Sequence, residues 1–216
     1  MAHAQARGAG RAKTTTSSSV SDRQFFGVGI GYSNPFEIKF GNARLSGIAG
    51  EPTVRSEFEG APILELDIRI MPKNSVYGLQ LGIIADLEHK NKSTTISGVN
   101  NSTSVFEKSK LAITTVEISL AGRFERLFVT VGSNYSIPSF TASPDFIGSV
   151  SMRGGSNTHL GFGYFISDHY AIEIMLWRRK GFRFNTTSSS GAVDSYETGE
   201  AVTSTLALKY FPKLLN

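Results

Sequence analysis

The sequence predicts an all-β fold, a single eight-stranded antiparallel up-and-down transmembrane β-barrel. Three observations predict it: apolar residues alternate with small or polar ones in eight stretches, short and long connections alternate between them, and charges are few. Charged residues make up 19% of the chain, which also holds 22 Gly and 15 Phe, whereas a soluble domain is roughly 25% charged. No apolar run approaches the roughly 18 residues of a membrane helix. A membrane protein without such helices spans as a closed barrel.

The eight alternating stretches have the lengths that tilted membrane strands need, which are mostly about 9–11 residues. They are residues 25–33, 63–71, 76–88, 111–122, 127–136, 158–166, 169–180 and 201–211.

Connections of two lengths alternate along the chain. The second and third, fourth and fifth, and sixth and seventh stretches are joined by residues 72–75, 123–126 and 167–168. The other connections, 34–62, 89–110, 137–157 and 181–200, each hold about 20 to 30 residues. In an up-and-down barrel, alternate connections lie at the same end. The pattern is therefore that of outer-membrane barrels, which have short periplasmic turns and long external loops.

Side-chain size indicates which face of each stretch points inward. One face carries bulky uncharged residues such as Ile30, Leu66 and Ile118, and the other carries glycines, threonines and a few charges. An eight-stranded lumen is only just wide enough for side chains, so the bulky face is expected to meet lipid. Charges are costly on that face, which agrees with their absence from it.

The chain divides into residues 1–24, a flexible basic tail, residues 25–211, the barrel, and residues 212–216, a short C-terminal extension. Four cations of the tail, Arg7, Arg11, Lys13 and Arg23, supply much of the net charge of +4. A basic tail can bind nucleic acid or an anionic membrane, but a solvated terminus is the favoured interpretation and no nucleic acid is expected.

The sequence lacks cysteine. It also lacks a secretory signal after Met1, so we expect a chain from which the signal has been removed.

Three runs resemble the small outer-membrane barrels of the OmpA, OmpX and opacity-protein type. They are FFGVGIGY at 25–32, LGFGYFISDHYAIEI at 160–174 and TLALKYF at 205–211. The first resembles an initial strand, the second a penultimate hairpin, and the third a final strand with its assembly signal. The family usually ends on its terminal aromatic residue, whereas residues 212–216 follow here.

Several inward-facing charges lie near the short-turn end of the predicted strands. They are Glu65, Asp67, Arg69, Glu117, Glu173 and Lys209. Buried charges must be paired, so we expect Arg69 and Lys209 to bridge Glu117 and Glu173 in a network that blocks conduction. A gated proton or ion path is the alternative.

No catalytic, cofactor or metal site is predicted. A lipid-modifying enzyme would need a histidine beside a serine and an acid, and near the loop end only His159 with Ser156 offers part of that set. The histidine spacing matches no metal motif. We therefore expect a protein that is not an enzyme and binds no cofactor.

Aromatic and aliphatic residues in the long connections are the candidates for binding. The main ones are Phe36, Phe40, Phe106, Phe140, Phe182 and Phe184. They are expected either to cover the lumen mouth or to grip a partner, since exposed aromatic residues often anchor interfaces.

These features together predict a structural, adhesive or partner-binding barrel in the outer membrane, with both termini periplasmic and four long loops outside. Its expected partners are outer-membrane lipid or lipopolysaccharide, and a protein or surface ligand at the loops. A narrow or gated channel for ions or small solutes is the second interpretation, and a lipid-modifying enzyme the third.

Overall fold

The computed structural model describes residues 23–72, 75–96, 99–100 and 105–212. Most of the basic tail (1–22) and of the C-terminal extension (213–216) lies outside the described residues, so their predicted roles remain predictions. Within the described part, no helix is long and apolar enough to cross a membrane.

The described residues form twelve strands of one antiparallel sheet. The strands are β1 (Arg23–Ser33), β2 (Phe36–Arg44), β3 (Val54–Phe58), β4 (Ala61–Met71), β5 (Tyr77–Ile96), β6 (Val99–Asn100), β7 (Lys110–Phe124), β8 (Leu127–Thr141), β9 (Gly148–Arg153), β10 (Ser156–Phe165), β11 (Tyr170–Ser188) and β12 (Val193–Tyr210). The predicted all-β antiparallel architecture is confirmed. The prediction of eight strands is wrong in number, because β2, β3, β6 and β9 form where long loops were expected.

The eight predicted stretches correspond to β1, β4, β5, β7, β8, β10, β11 and β12. These strands pair in that order, each with the next. The last pairs with the first, where Ile30 lies opposite Leu208 and Tyr32 opposite Leu206. The pairing therefore forms a closed ring, which leaves these strands no free edge within their paired lengths.

The orientation of the side chains follows the predicted separation by size. Ile30, Leu66 and Ile118 on the outer surface are 61%, 48% and 51% exposed, while the predicted lumen charges are buried. Since this belt of exposed aliphatic side chains runs around the ring, its outer surface is suited to lipid.

Beyond the lipid-facing belt, the wall continues upward from the ends of the longest strands. At this level β2 pairs with β12 and with β3, β3 pairs with the end of β5, and β9 pairs with the end of β11. We call this part the upper barrel. The connections at the other end, between β4 and β5, β7 and β8, and β10 and β11, are short, so the predicted asymmetry of the two ends is present.

Candidate functional site

The six predicted lumen charges lie close together inside the ring. Lys209 Nζ lies 3.0 Å from Glu65 Oε2 and 2.8 Å from Asp67 Oδ2, and it also contacts Glu173 Oε2. Arg69 Nη2 lies 3.1 Å from Glu173 Oε2 and 3.2 Å from Asp67 Oδ2. Two cations therefore pair with three carboxylates at the centre of the lumen.

The predicted pairing of Glu117 with these cations is wrong. Glu117 Oε1 accepts a hydrogen bond from Gln80 Nε2 at 2.7 Å, and its other oxygen lies 3.6 Å from His159 Nε2. Glu117 lies on β7, between β5 and β8. Lys209 lies across the lumen on β12, and Arg69 lies two strands away on β4.

Glycines make room for the long charged side chains. Gly29 is the direct cross-strand neighbour of both Glu65 and Lys209, and a Cβ atom there would lie 3.1 Å from Glu65 Cβ and 3.2 Å from Lys209 Cγ. Gly82 lies opposite Glu117, where a Cβ would fall 2.6 Å from the carboxylate. The inward glycines therefore leave the space that the charged side chains occupy.

Aromatic side chains close the lumen at the short-turn end. Phe128, Phe165 and Phe211 pack together with Ala171. The Arg69 guanidinium lies 4.1 Å from the centroid of Phe128 and 5.1 Å from that of Phe211, which is within cation–π range. Phe211 follows the last strand rather than ending it, and its ring turns inward, where it is 1% exposed. With the charges above it, this cluster fills the lower lumen.

The histidine considered for catalysis has a different serine partner from the one expected. His159 Nε2 lies 2.6 Å from Ser119 Oγ, and Asn134 Nδ2 lies 3.2 Å from His159 Nδ1, while Ser156 is exposed on the outer surface. Ser119 and His159 are 2% and 3% exposed, and Trp177 packs on the imidazole. A substrate therefore has no visible approach to this serine, and the group is best explained as a lumen hydrogen-bond network.

A further ion pair lies above the charge network and was not singled out from the sequence. Arg179 Nη1 contacts Asp86 Oδ2 at 2.9 Å, and His89 Nε2 lies 3.6 Å from the same oxygen. All three side chains are buried. Among the described residues, no group of three or more histidine or acidic side chains has the arrangement to hold a metal ion.

The interior of the upper barrel is apolar and rich in aromatic residues. This aromatic interior consists mainly of Phe36, Ile38, Phe40, Val54, Phe58, Ile96, Phe106, Leu111, Ile113, Phe182, Phe184 and Tyr196, with Phe140, Phe146, Val150 and Met152 packed against it. The binding candidates from the sequence are therefore placed inside the molecule. The expectation that they are exposed for gripping a partner is wrong, because period-two alternation continues above the lipid-facing belt and turns them inward.

One buried polar group stands out in this aromatic interior. The Tyr196 ring contacts Phe40, Phe106 and Phe184, and its hydroxyl has no hydrogen-bond partner among the described residues. Burial raises the pKa of Tyr196 well above its ordinary value, so this hydroxyl remains protonated and able to donate.

The wall of the upper barrel has a gap between β8 and β9. In the described part of the chain, β9 pairs with β11 and with no strand on its other side. The gap holds a cavity of about 380 Å³, lined by Tyr135, Ile137, Pro138, Met152, Arg153, Gly154, Gly181 and Arg183. We call this feature the wall opening.

Pro138 accounts for the gap. The backbone N–H of Ser136 donates to Gly155 O at 3.1 Å, so the N–H groups of alternate residues along β8 point toward the β9 side. Pro138 is two residues further along and has no N–H to donate. Gly181, which also lines the opening, adopts a φ of 77° beside a register shift in β11, a conformation that favours glycine. The sequence signal for the opening is thus a proline within a strand.

No protein-family model matches the sequence, and no curated protein matches it either. Among the solved structures that share its fold are two outer-membrane proteins. The outer-membrane protein OprG from Pseudomonas aeruginosa matches with a TM-score of 0.61 and 13% identity, over 88% of this chain and 97% of OprG. The outer-membrane protein AlkL, solved in lipid bilayers, matches with a TM-score of 0.60 and 15% identity, over 100% of this chain and 98% of AlkL. The fold is therefore that of outer-membrane β-barrels. These matches do not single out the OmpA, OmpX and opacity type.

Proposed function

We propose that this protein is an outer-membrane barrel that admits small apolar molecules from outside through the wall opening. The observation that carries the proposal concerns Met152, which lines the opening and also packs against the aromatic interior. Phe184, buried in that interior, lies directly opposite Met152 in the β9–β11 pairing. An apolar molecule at the opening would thus touch Met152, whose direct neighbour Phe184 belongs to the aromatic interior.

The belt of exposed aliphatic residues and the fold support a position in the outer membrane. On this proposal the short turns, the start of β1 and the end of β12 face the periplasm, and the upper barrel stands outside. The opening then lies near the outer membrane surface, since Tyr135 at its edge is half exposed and tyrosine favours that level. Outer-membrane lipid or lipopolysaccharide would surround it.

Passage of water and ions along the axis is not favoured by the geometry. The lower lumen is filled by the Lys209 and Arg69 network and by the Phe128 cluster beneath it. An apolar molecule that passes from the upper barrel through the wall opening into the membrane does not need to cross these charges, because the opening lies above them.

The proposed role is not enzymatic. Ser119, the serine that His159 contacts, is buried in the lumen, whereas a nucleophile must reach its substrate. An adhesive role receives little support from the aromatic candidates, since five of the six are at most 6% exposed. Their burial suits contact with a small molecule better than contact with a protein surface.

The test measures entry of an apolar fluorescent naphthylamine into Gram-negative cells that carry an intact lipopolysaccharide layer. We expect the protein to raise the entry rate severalfold over an empty vector. Pro138→Val restores a backbone donor facing β9, so it should narrow the opening and remove most of this increase. Met152→Glu places a charge on the proposed path and should do the same.

Pro62→Val is the matched control, because Pro62 lies in β4, opposite Tyr32 and away from the opening. It should leave the entry rate unchanged. The proposal is wrong if wild-type protein enters the membrane in normal amounts without increasing the rate, or if both opening variants match wild type. Steady ion conductance in planar bilayers would instead favour a water-filled channel.

A further inference from the structure

Two arginines lie side by side at the wall opening. Arg153 on β9 and Arg183 on β11 are direct cross-strand neighbours, and both side chains are exposed and line the opening. Like charges directly opposite each other destabilise an antiparallel pair. Neither arginine has a carboxylate within ion-pair distance among the described residues.

Several other outward cations have a carboxylate partner. Arg178 Nε lies 2.9 Å from Glu200 Oε1, and Lys180 Nζ lies 3.7 Å from the same oxygen. Lys110 lies 2.6 Å from Glu88 across the β5–β7 pair. In the pair at Arg153 and Arg183, by contrast, neither cation has such a partner among the described residues, and the pair coincides with the cavity.

The lining of the cavity combines this positive charge with an apolar wall. Tyr135, Ile137, Pro138 and Met152 form the apolar part. Met152 and Arg153 are adjacent in β9, so strand alternation places Arg153 on the outer side and Met152 toward the aromatic interior. A ligand that touches both residues needs an anionic end outside and an apolar body inside.

We propose that the wall opening binds anionic amphiphiles, molecules with one carboxylate on an apolar chain. The carboxylate binds between Arg153 and Arg183, and the chain runs past Met152 toward Phe184. Arginine suits this role because its guanidinium forms paired hydrogen bonds with carboxylates. The inference rests on the proposed function, to which it adds the chemical class of the ligand.

The test compares decanoate with decanol, which share a chain and differ in charge. Equilibrium binding of each labelled compound is measured near neutral pH on protein in phosphatidylcholine nanodiscs, with binding to empty discs subtracted. Wild-type protein should bind both. The double variant R153Q/R183Q should weaken decanoate binding about tenfold, the effect of losing a charge-assisted contact, and leave decanol binding within about twofold.

The control R55Q/K92Q removes two outward cations elsewhere on the upper barrel, where Arg55 and Lys92 lie near Glu37 and Glu57. It should not change the binding of either compound. Equal weakening of decanoate and decanol in R153Q/R183Q would mean that the arginines only maintain the shape of the opening. Unchanged decanoate binding would overturn the inference while leaving the proposed function intact.

Two further outcomes are decisive. If wild-type protein binds neither compound, the proposed function fails and the inference fails with it. If native mass spectrometry finds a phospholipid or lipopolysaccharide on wild-type protein that R153Q/R183Q loses, while decanoate binding is equal in both, the arginines bind a lipid phosphate and the inference is wrong.

Discussion

At the scale of single residues, several of the long charged side chains in the lumen lie opposite a glycine. Gly27 lies opposite Asp67, Gly29 opposite Glu65 and Lys209, and Gly163 opposite Glu173. Because a narrow barrel leaves little interior volume, a charged side chain fits there when the neighbouring strand contributes none. The size pattern that orients the strands in the sequence is therefore also what permits the charge network.

Gly163 tests this steric complementarity. A Cβ atom at Gly163 would lie 1.9 Å from Phe128 Cζ, and the Phe128 ring is held by Phe165 and Arg69. Gly163→Ala should lower the free energy of unfolding by about 1–3 kcal/mol, as overpacking does. The measurement is a urea titration of the folded form in lipid vesicles.

Gly122→Ala is the control for that substitution, because a Cβ there would meet its nearest neighbour, Phe124, at an ordinary 3.5 Å. Equal stability of the two alanine variants would show that the Phe128 ring moves aside easily.

Lys209 tests the importance of the charge network. It is 2% exposed and contacts three carboxylates, so Lys209→Met would leave Arg69 alone to neutralise them. Removing one partner of a buried ion pair costs about 3–5 kcal/mol, and the same urea titration should show a loss of that size.

Lys110→Met provides the comparison for Lys209→Met, since Lys110 also forms a short ion pair, 2.6 Å from Glu88, but on the exposed surface. Its effect should stay below about 1 kcal/mol. A Lys209→Met variant as stable as Lys110→Met would mean that water reaches the network and screens it.

At the scale of strands, alternation predicts most of the wall but not where each strand stops. The predicted stretch 76–88 covers the start of β5, but the strand itself continues to Ile96. The prediction stops too early because the outward residues beyond it, such as Lys92, are polar, as is expected above the level of the lipid. The sequence predicts a loop over the residues of β2, although Phe36, Ile38 and Phe40 alternate with more polar residues as in a strand. A lipid-based criterion misses such strands, since above the lipid the apolar residues face inward.

Pro138 shows the limit of sequence reasoning at this scale. A proline is common in a loop, so Pro138 carries no structural signal while residues 137–157 are predicted to form one. It indicates a break in strand pairing only because β8 extends to Thr141. The juxtaposition of Arg153 and Arg183 depends on the pairing of β9 with β11. That register joins segments about 30 residues apart in sequence, which alternation within either strand does not specify.

At the scale of the whole molecule, the barrel has two interiors with opposite chemistry. The lower interior is packed with paired charges and closed by aromatic residues, whereas the upper one is apolar and has the wall opening beside it. On the proposed function, this division lets the barrel be filled along its axis and still admit a small molecule through the wall opening. It requires that the lower ring be closed, which depends on the contact between its first and last strands.

The closing contact can be tested directly because the chain has no cysteine. Tyr32 on β1 and Leu206 on β12 are direct partners, both on the outer surface, and Cβ atoms of such pairs lie about 4.5–5.5 Å apart. In the double variant Tyr32→Cys/Leu206→Cys, mild oxidation of the folded protein should form a disulfide in most molecules. After boiling without reductant, the resulting loop should change the mobility of the chain on a denaturing gel, and reductant should restore it.

Tyr32→Cys/Leu160→Cys is the control, because Leu160 pairs with Val131 and Leu176 on the other side of the ring and should form no disulfide. A closed ring is contradicted if the two variants oxidise alike, or if the first pair stays reduced although each cysteine reacts with maleimide.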